Sequence, residues 1–520
     1  MTSETSVTDE PSRGTGAPDA PVVPVVPVVP VVATANGRVR GVWRTSPDGW
    51  RSAAFLGLPF AEPPIGGLRF AAPRPKAAWD GVLDCTAYGP TAQRGGDPAN
   101  QGIPEPSIPG ESTLNVNVFT PSPTTTMPAM PVLVWIHGGG FTAGSPASPW
   151  YDGRAFNRDG VVTVTLSYRL GFDGFGWVPG TPHNRGVLDW LLALEWVRAN
   201  VAGFGGDPSR VTIAGQSAGG GAVLTLLGMP RAQHLFRSAL CISGATADVT
   251  PSRAEAYAHR LAATAGVEAT LTGFRSVSEE QLLAAQQKPV RGRGRRDPFA
   301  GVRVVLDEGL PLGPMVDGDL VPDKAIGSIA DGIGAAKPLL LGATDDEFSS
   351  ALMGYRNVLR FVPTSFMLDR LGMARGPRAA YRAGNVSATG PGTVAAVGRY
   401  ITDKVFRAPV VRVATARDAS PTWAYRFARR SPASGLAVHC ADLPYWFDCL
   451  DADRVERLTS APPQRLADEM HAAAVRFVKD GDASWPVWTP TTGEAMVFEE
   501  PSSVVEHAFR DVEPLVSTPQ

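Results

Sequence analysis

"RVTIAGQSAGGGAVLTLLG", residues 210–228, decides how this chain is read. Its opening "RVTIA" is a short apolar run with β-branched residues and predicts a strand, while "GGAVLTLL" predicts a helix. Between them, Gly215 and Gly219 flank Ser217, and small residues on both sides let the chain turn sharply enough to lift a serine hydroxyl to the head of the helix. A serine so placed is a candidate nucleophile. A strand passing through a tight turn into a helix is also the repeating unit of a parallel sheet.

The same alternation extends outward. "PVLVWI" (131–136), "VVTVTLSY" (161–168), "SALCISG" (238–244) and "KPLLLGA" (337–343) are apolar runs of strand length separated by helical segments and loops. The clearest helix is 186–204, "GVLDWLLALEWVRANVAGF", with Val187, Leu191, Leu194 and Val197 recurring on one face. The expected fold class is α/β: a largely parallel central sheet flanked by helices, with ligands collecting at the carboxyl ends of its strands.

Bulk properties narrow the function. The 520 residues are 43% hydrophobic and 19% charged, and 48 basic against 50 acidic residues leave a formal charge of -2, which excludes a general polyanion binder. The one basic cluster, "KPVRGRGRR" (288–296), is interrupted by glycine and lacks aromatics, so it predicts a solvated loop and no nucleic-acid partner. Cys85, Cys241, Cys440 and Cys449 form no CxxC pair and have no histidine at zinc spacing, and "DGD" (317–319) lacks the other acids of a calcium loop, so no metal is expected. The start of the chain has no basic, then apolar, leader pattern, and no apolar run approaches the roughly 18 residues of a membrane span. Cytoplasmic residence without a membrane partner is the expectation. Residues 1–33 end in "PVVPVVPVVPVV", where proline removes a backbone donor every third position, so 1–33 are expected to be a disordered tail and 34–520 the catalytic domain.

A serine hydroxyl needs a base to take its proton and donors to hold the oxyanion that forms. "VWIHGGGFTAGS" (134–145) supplies the donors: a strand runs into Gly138, Gly139 and Gly140, and Ala218 adds a further N–H. Phe141 follows the glycines where a phosphate loop would need Gly-Lys-Ser/Thr. On a sheet of this kind the acid and the histidine follow the serine in that order. His137 and His183 precede Ser217, His234 follows it closely, His259 and His471 sit in Ala-rich helical stretches, and His507 is near the end. His439 in "SGLAVHCADLPYWF" (434–447) remains as the base. For the acid, "KPLLLGATDDEF" (337–348) ends a strand with Asp345, Asp346 and Glu347 in succession, and the pattern leaves all three open.

These blocks, with "FLGLPFAEPPIGGLRFAAPRP" (55–75), "LNVNVFTP" (114–121), "SYRLGF" (167–172), "VDGDLVP" (316–322) and "FVKDGDASWPVW" (477–488), resemble the type B carboxylesterase family over nearly the whole chain after the tail. The resemblance implies an α/β-hydrolase fold with loop and helical insertions around the active site, and a cofactor-free serine carboxylesterase acting on small-molecule esters. It implies Ser217 as nucleophile, His439 as base, Glu347 as the acid, and Gly139, Gly140 and Ala218 as the oxyanion hole. Four positions depart from the family pattern: Gln216 where most members carry glutamate, Phe348 for a glycine after the acid, Ser167 for an asparagine, and Thr113 for a cysteine whose partner is also missing from "YGPTAQ". The first makes a preference for cationic esters less favourable; the last agrees with a reducing compartment. The loop 93–112 and the "LPYWF" after His439 are expected to form pocket walls, and 12 tryptophans and 21 phenylalanines suggest acceptance of bulky or aromatic esters.

Overall fold

The computed structural model describes residues 29–46, 49–93, 102–123, 129–288, 299–389 and 392–516. Its main sheet has eleven strands. Seven neighbours run parallel: Val162–Leu166, Met130–Ile136, Gly206–Gln216, Ser238–Ile242, Leu339–Thr344, Thr422–Phe427 and Ala495–Phe498. Antiparallel strands flank them: Asn115–Thr120, Arg51–Pro59 and Val42–Thr45 on one side, Ser503–Val505 on the other. All five runs expected to be strands lie in the parallel block. Their near-continuous apolar character follows from cover on both faces, since every residue of Val162–Leu166, Ser238–Ile242 and Leu339–Thr344 is buried.

Helices supply that cover. The helix expected over 186–204 is Arg185–Asn200 followed by a single tighter turn, Val201–Phe204, and Val187, Leu191, Leu194 and Val197 are all buried in the main core. Gly205, at φ 82°, ends the segment in a left-handed conformation that costs glycine little.

The expected tail boundary is corrected at its end. Val31–Thr34 is a strand, paired antiparallel with Gly37–Arg40 in a separate three-stranded sheet completed by Val82–Asp84. No proline follows Pro30 in this stretch, so Val31 onward recovers the N–H groups a ladder needs. Residues 1–28 and most of the basic cluster at 288–296 lie outside the described residues. In "DGD" the Asp317 carboxylate folds back on its own segment, accepting from the Asp319 and Val321 N–H groups at 3.1 and 3.0 Å.

Register places the chemistry. Ile136 pairs with Gly215, Gln216 with Ile242, and Thr344 with Phe427, so the glycine loop, Ser217, the acid run and the segment leading to His439 leave the sheet at one edge.

Candidate active site

Ser217 sits in the turn between Gly206–Gln216 and the helix Ala218–Leu227, at φ 58° and ψ −122°. A non-glycine residue holds such a backbone only when its surroundings impose it. Here the Ser217 N–H donates to the Ile242 carbonyl at 3.0 Å, and its own carbonyl accepts from Gly221 and Ala245 at 2.9 and 3.2 Å. The flanking glycines are required by close packing. A Cβ at Gly219 would lie 2.0 Å from the Ile136 carbonyl oxygen, and one at Gly215 would lie 2.4 Å from the Gly219 oxygen.

Beside the turn, Gly139 and Gly140 adopt φ 105° and 61°, and the Gly139 carbonyl closes the loop by accepting from Thr142 and Ala143 at 3.1 and 2.9 Å. Gln93 buttresses the loop from outside, its Oε1 accepting from the Gly144 N–H at 2.6 Å. His137 is spent within this loop: Nδ1 donates to the Gly138 carbonyl at 2.9 Å, and burial pushes its pKa down to about 4, so it stays neutral. Ala218 opens the helix behind Ser217, where its N–H has no intrahelical acceptor.

The three acids separate by direction. Asp345 is bidentate with Arg426 at 3.0 and 2.8 Å; burial alone would raise its carboxyl, but Arg426, Arg407 and Arg399 hold it well below the usual range. Asp346 accepts from the Ala437 N–H at 3.1 Å. Glu347 alone meets His439: its Oε2 contacts Nδ1, while its Oε1 accepts from the Thr344 N–H at 2.8 Å. Both partners are shielded, with Glu347 fully buried and the His439 side chain 18% exposed. Burial works against the charged imidazolium, yet the Cys440 sulfur and the Glu347 carboxylate raise His439 well above the ordinary histidine value. Behind this turn, Arg399 and Arg407 join Asp403 and Asp511 in a buried charge cluster, and Arg399 also donates to the Asp345 carbonyl at 2.6 Å. The acid-bearing turn is therefore clamped from below.

Phe406 and Asp442 carried no sequence signal. Phe348 and Phe406 stand with ring centroids 5.0 Å from His439, Phe406 being delivered by the wide helical turn Asp403–Arg407. Asp442, three residues beyond His439, is fully buried; burial and the nearby Glu347 charge push its carboxyl up to about 7. Glu105 in the wall is pushed up to about 8 by burial, against hydrogen bonding from Ser145 and Tyr151.

Ser217, Glu347, His439, Gly139 and Gly140 all line one cavity of roughly 1670 Å³. The loop 93–112 contributes Gly102, Ile103 and Glu105, as expected. The "LPYWF" expectation is corrected: Leu443, Pro444, Tyr445, Trp446 and Phe447 are buried, four of them packed in a core cluster with Trp135 and Trp150, because the chain turns inward after His439. Among the described residues no cluster of metal-ligating side chains occurs, and no helix is long and apolar enough to cross a membrane.

A serine at a strand-to-helix turn, then an acid and then a histidine, each following a strand at the carboxyl edge of a mainly parallel sheet, is the arrangement of an α/β hydrolase. A model of the carboxylesterase family matches residues 28–508. The chain is 34% identical over 490 residues to the para-nitrobenzyl esterase of Bacillus subtilis (strain 168), covering 90% of this chain and 94% of that protein. It is 32% identical over 471 residues to the fumonisin B1 esterase of Sphingopyxis macrogoltabida, covering 85% and 83%. A solved carboxylesterase of Geobacillus stearothermophilus superposes with a TM-score of 0.76 at 32% identity, over 93% of this chain and 99% of that one. The chain belongs to the carboxylesterase family, and its activity is the hydrolysis of carboxylic esters.

Proposed function

We propose that hydrolysis runs through an acyl-enzyme on Ser217. His439 Nε2 takes the hydroxyl proton as Oγ attacks the ester carbonyl, while Glu347 fixes the Nδ1–H tautomer and stabilises the imidazolium. The tetrahedral oxyanion rests on the N–H groups of Gly139, Gly140 and Ala218. The C–O bond to the alcohol breaks as His439 returns the proton to it, and water then repeats the sequence on the acyl-enzyme. No step requires a cofactor. The observation carrying this reading is the Glu347–His439 pair, part-buried at the cavity that Ser217 lines.

The volume of roughly 1670 Å³ favours a small-molecule ester bulky on at least one side. Its aromatic lining is limited to Phe348, Tyr355 and Phe406 among the described residues, with aliphatic side chains around them, which supports size tolerance ahead of a specific aromatic preference. Acyl transfer to another acceptor, or hydrolysis of amides, carbamates or thioesters, would use the same groups. Four free, buried cysteines fit cytoplasmic residence.

Product analysis of a benzyl ester turned over in water with a competing alcohol tests the assignment. Free acid as the main product, at a rate at least equal to that for a short aliphatic ester, supports it; transesterified product as the main species would make the protein an acyltransferase.

A further inference from the structure

Large apolar side chains exposed to water are not spread evenly over this protein. Of fifteen among the described residues, seven fall between 305 and 366, and five of those, Met353, Tyr355, Val358, Phe361 and Phe366, lie on one short stretch. Phe361 is 76% exposed and Val358 66%. Isolated apolar residues on a surface are ordinary, but a contiguous run of them marks a site of interaction. Leu359, Met367, Leu368 and Leu371 interleave with the exposed residues and pack in a core of their own with Leu306 and Val397, so the run is the outer face of a packed element.

The same stretch is strongly basic. Residues 353–382 carry six arginines against one acidic residue, in a chain whose net charge is -2. That residue, Asp369, is shared by Arg378 at 2.9 Å and Arg375 at 3.9 Å. Arg356, Arg360 and Arg382 are exposed, and the Arg360 guanidinium stands 4.5 Å from the centre of the Phe361 ring, so cation and aromatic face outward together. Val305, Phe348 and Tyr355 are exposed and also part of the cavity wall, which puts them at its mouth; Phe348 lies 5.0 Å from His439. Val358 and Phe361 stand outside that wall and continue from Tyr355 at three-residue spacing, on a helical turn.

We propose that this face docks the cavity mouth on an anionic lipid surface, from which the enzyme takes amphiphilic esters dissolved in the bilayer. This rests on the ester-hydrolase reading of the site. Phe361 and Val358 enter the headgroup region, the arginines meet lipid phosphates, and an ester tail leaving the bilayer passes Val305, Tyr355 and Phe348 without crossing water. A second copy of the chain is the poorer occupant, because a two-fold contact would set the arginines against themselves. The acids near the mouth are already paired, Asp307 with Arg303 and Lys404 and Glu308 with Arg253. Such docking is peripheral and needs no spanning helix. The whole-chain charge, from which no membrane partner was expected, averages over this local patch.

The test is co-sedimentation of the full chain with vesicles of phosphatidylcholine, alone or mixed with phosphatidylglycerol, for wild type, Val358→Gln/Phe361→Gln and Arg356→Gln/Arg360→Gln. Wild type should pellet with the mixed vesicles and far less with phosphatidylcholine alone. Its partition should fall about thirtyfold in the arginine pair, at about fivefold per arginine, and at least about tenfold in the apolar pair. Turnover of a long-chain para-nitrophenyl ester carried in the vesicles should fall with the binding, while turnover of a soluble short-chain ester should not, since none of the four residues lines the cavity. Equal pelleting of wild type with both vesicles or with neither, or equal partition of wild type and both variants, overturns the proposal. So does long-chain turnover that survives loss of binding, or a dimer in sedimentation velocity that the apolar pair dissolves, which would give the face to a second copy. If one pair does not fold, the other pair decides, together with weakening of wild-type binding by salt. Wild type that pellets with the mixed vesicles but hydrolyses neither ester would refute the catalytic reading and leave the docking face standing.

Discussion

Glu347→Gln is the substitution whose effect follows most directly from the hydrogen bonds. The carboxylate accepts twice, from the Thr344 N–H through Oε1 and from His439 Nδ1–H through Oε2. An amide of the same shape has one acceptor and one donor. If its oxygen keeps Thr344, its NH₂ faces Nδ1 and forces that nitrogen to become the acceptor; the ring proton then moves to Nε2, and the base is lost. If the amide turns over, its NH₂ points at the Thr344 N–H, and a buried donor goes unpaired at a cost of about 1–3 kcal/mol. The first arrangement is therefore favoured, and it leaves the wrong tautomer in a site of unchanged shape. Loss of the correct tautomer in a serine triad costs about 10⁴ in kcat, or roughly 5 kcal/mol of barrier. Turnover of a para-nitrophenyl ester, normalised to folded protein by circular dichroism, measures it. Asp345→Asn and Asp346→Asn should each retain activity within about tenfold of wild type per folded molecule, since neither carboxylate touches His439. Glu347→Gln within tenfold of wild type, or a 10⁴ loss in Asp346→Asn, would refute the assignment of the acid.

Asp511→Asn should destabilise the fold by about 3 kcal/mol, because Arg399 and Arg407 lose a counter-charge at 2.7 and 2.9 Å in a buried cluster. The Asp511 pKa, after a burial contribution that raises it, is held down to about 2 by Arg407 and Arg399, so its contribution is present above the ordinary carboxylate value and fades as pH falls toward 2; the gap in urea midpoint between wild type and variant should narrow below about pH 4. Glu105, raised to about 8, ionises as pH rises through that value and puts a negative charge in the cavity wall. The kcat/KM for an anionic ester should then fall against that for a neutral one above about pH 8, and Glu105→Gln should remove the inflection; an inflection that persists in the variant would assign it to another group.

The parts legible in the sequence were those fixed by short-range pattern. Five strand runs and the helix with Val187, Leu191, Leu194 and Val197 stand where periodicity put them. Two of the histidines excluded as bases are accounted for as well: His471 is buried between the Trp446 carbonyl and Asp159, and His259 is exposed beside Glu255. What the residues alone left open depends on distant partners. Three carboxylates in a row differ only in direction, and that direction is set by Arg426, Arg399 and the Ala437 N–H, which lie tens of residues further along the chain. Phe406 and Asp442 escaped notice for the same reason, since neither has a local signature and each matters only through its position beside the Glu347–His439 pair. "LPYWF" misled because an aromatic run suits a pocket wall and a core equally well, and here the core won. The end of the Pro/Val repeat did so because its last two valines are followed by no proline.

The central claim is that Ser217 is an activated nucleophile. Intact-protein mass spectrometry after reaction with a fluorophosphonate tests it most directly, in wild type and Ser217→Ala. A single adduct on wild type, absent from the variant, is the expected result. No adduct on folded wild type, or an equal adduct on Ser217→Ala, would contradict it.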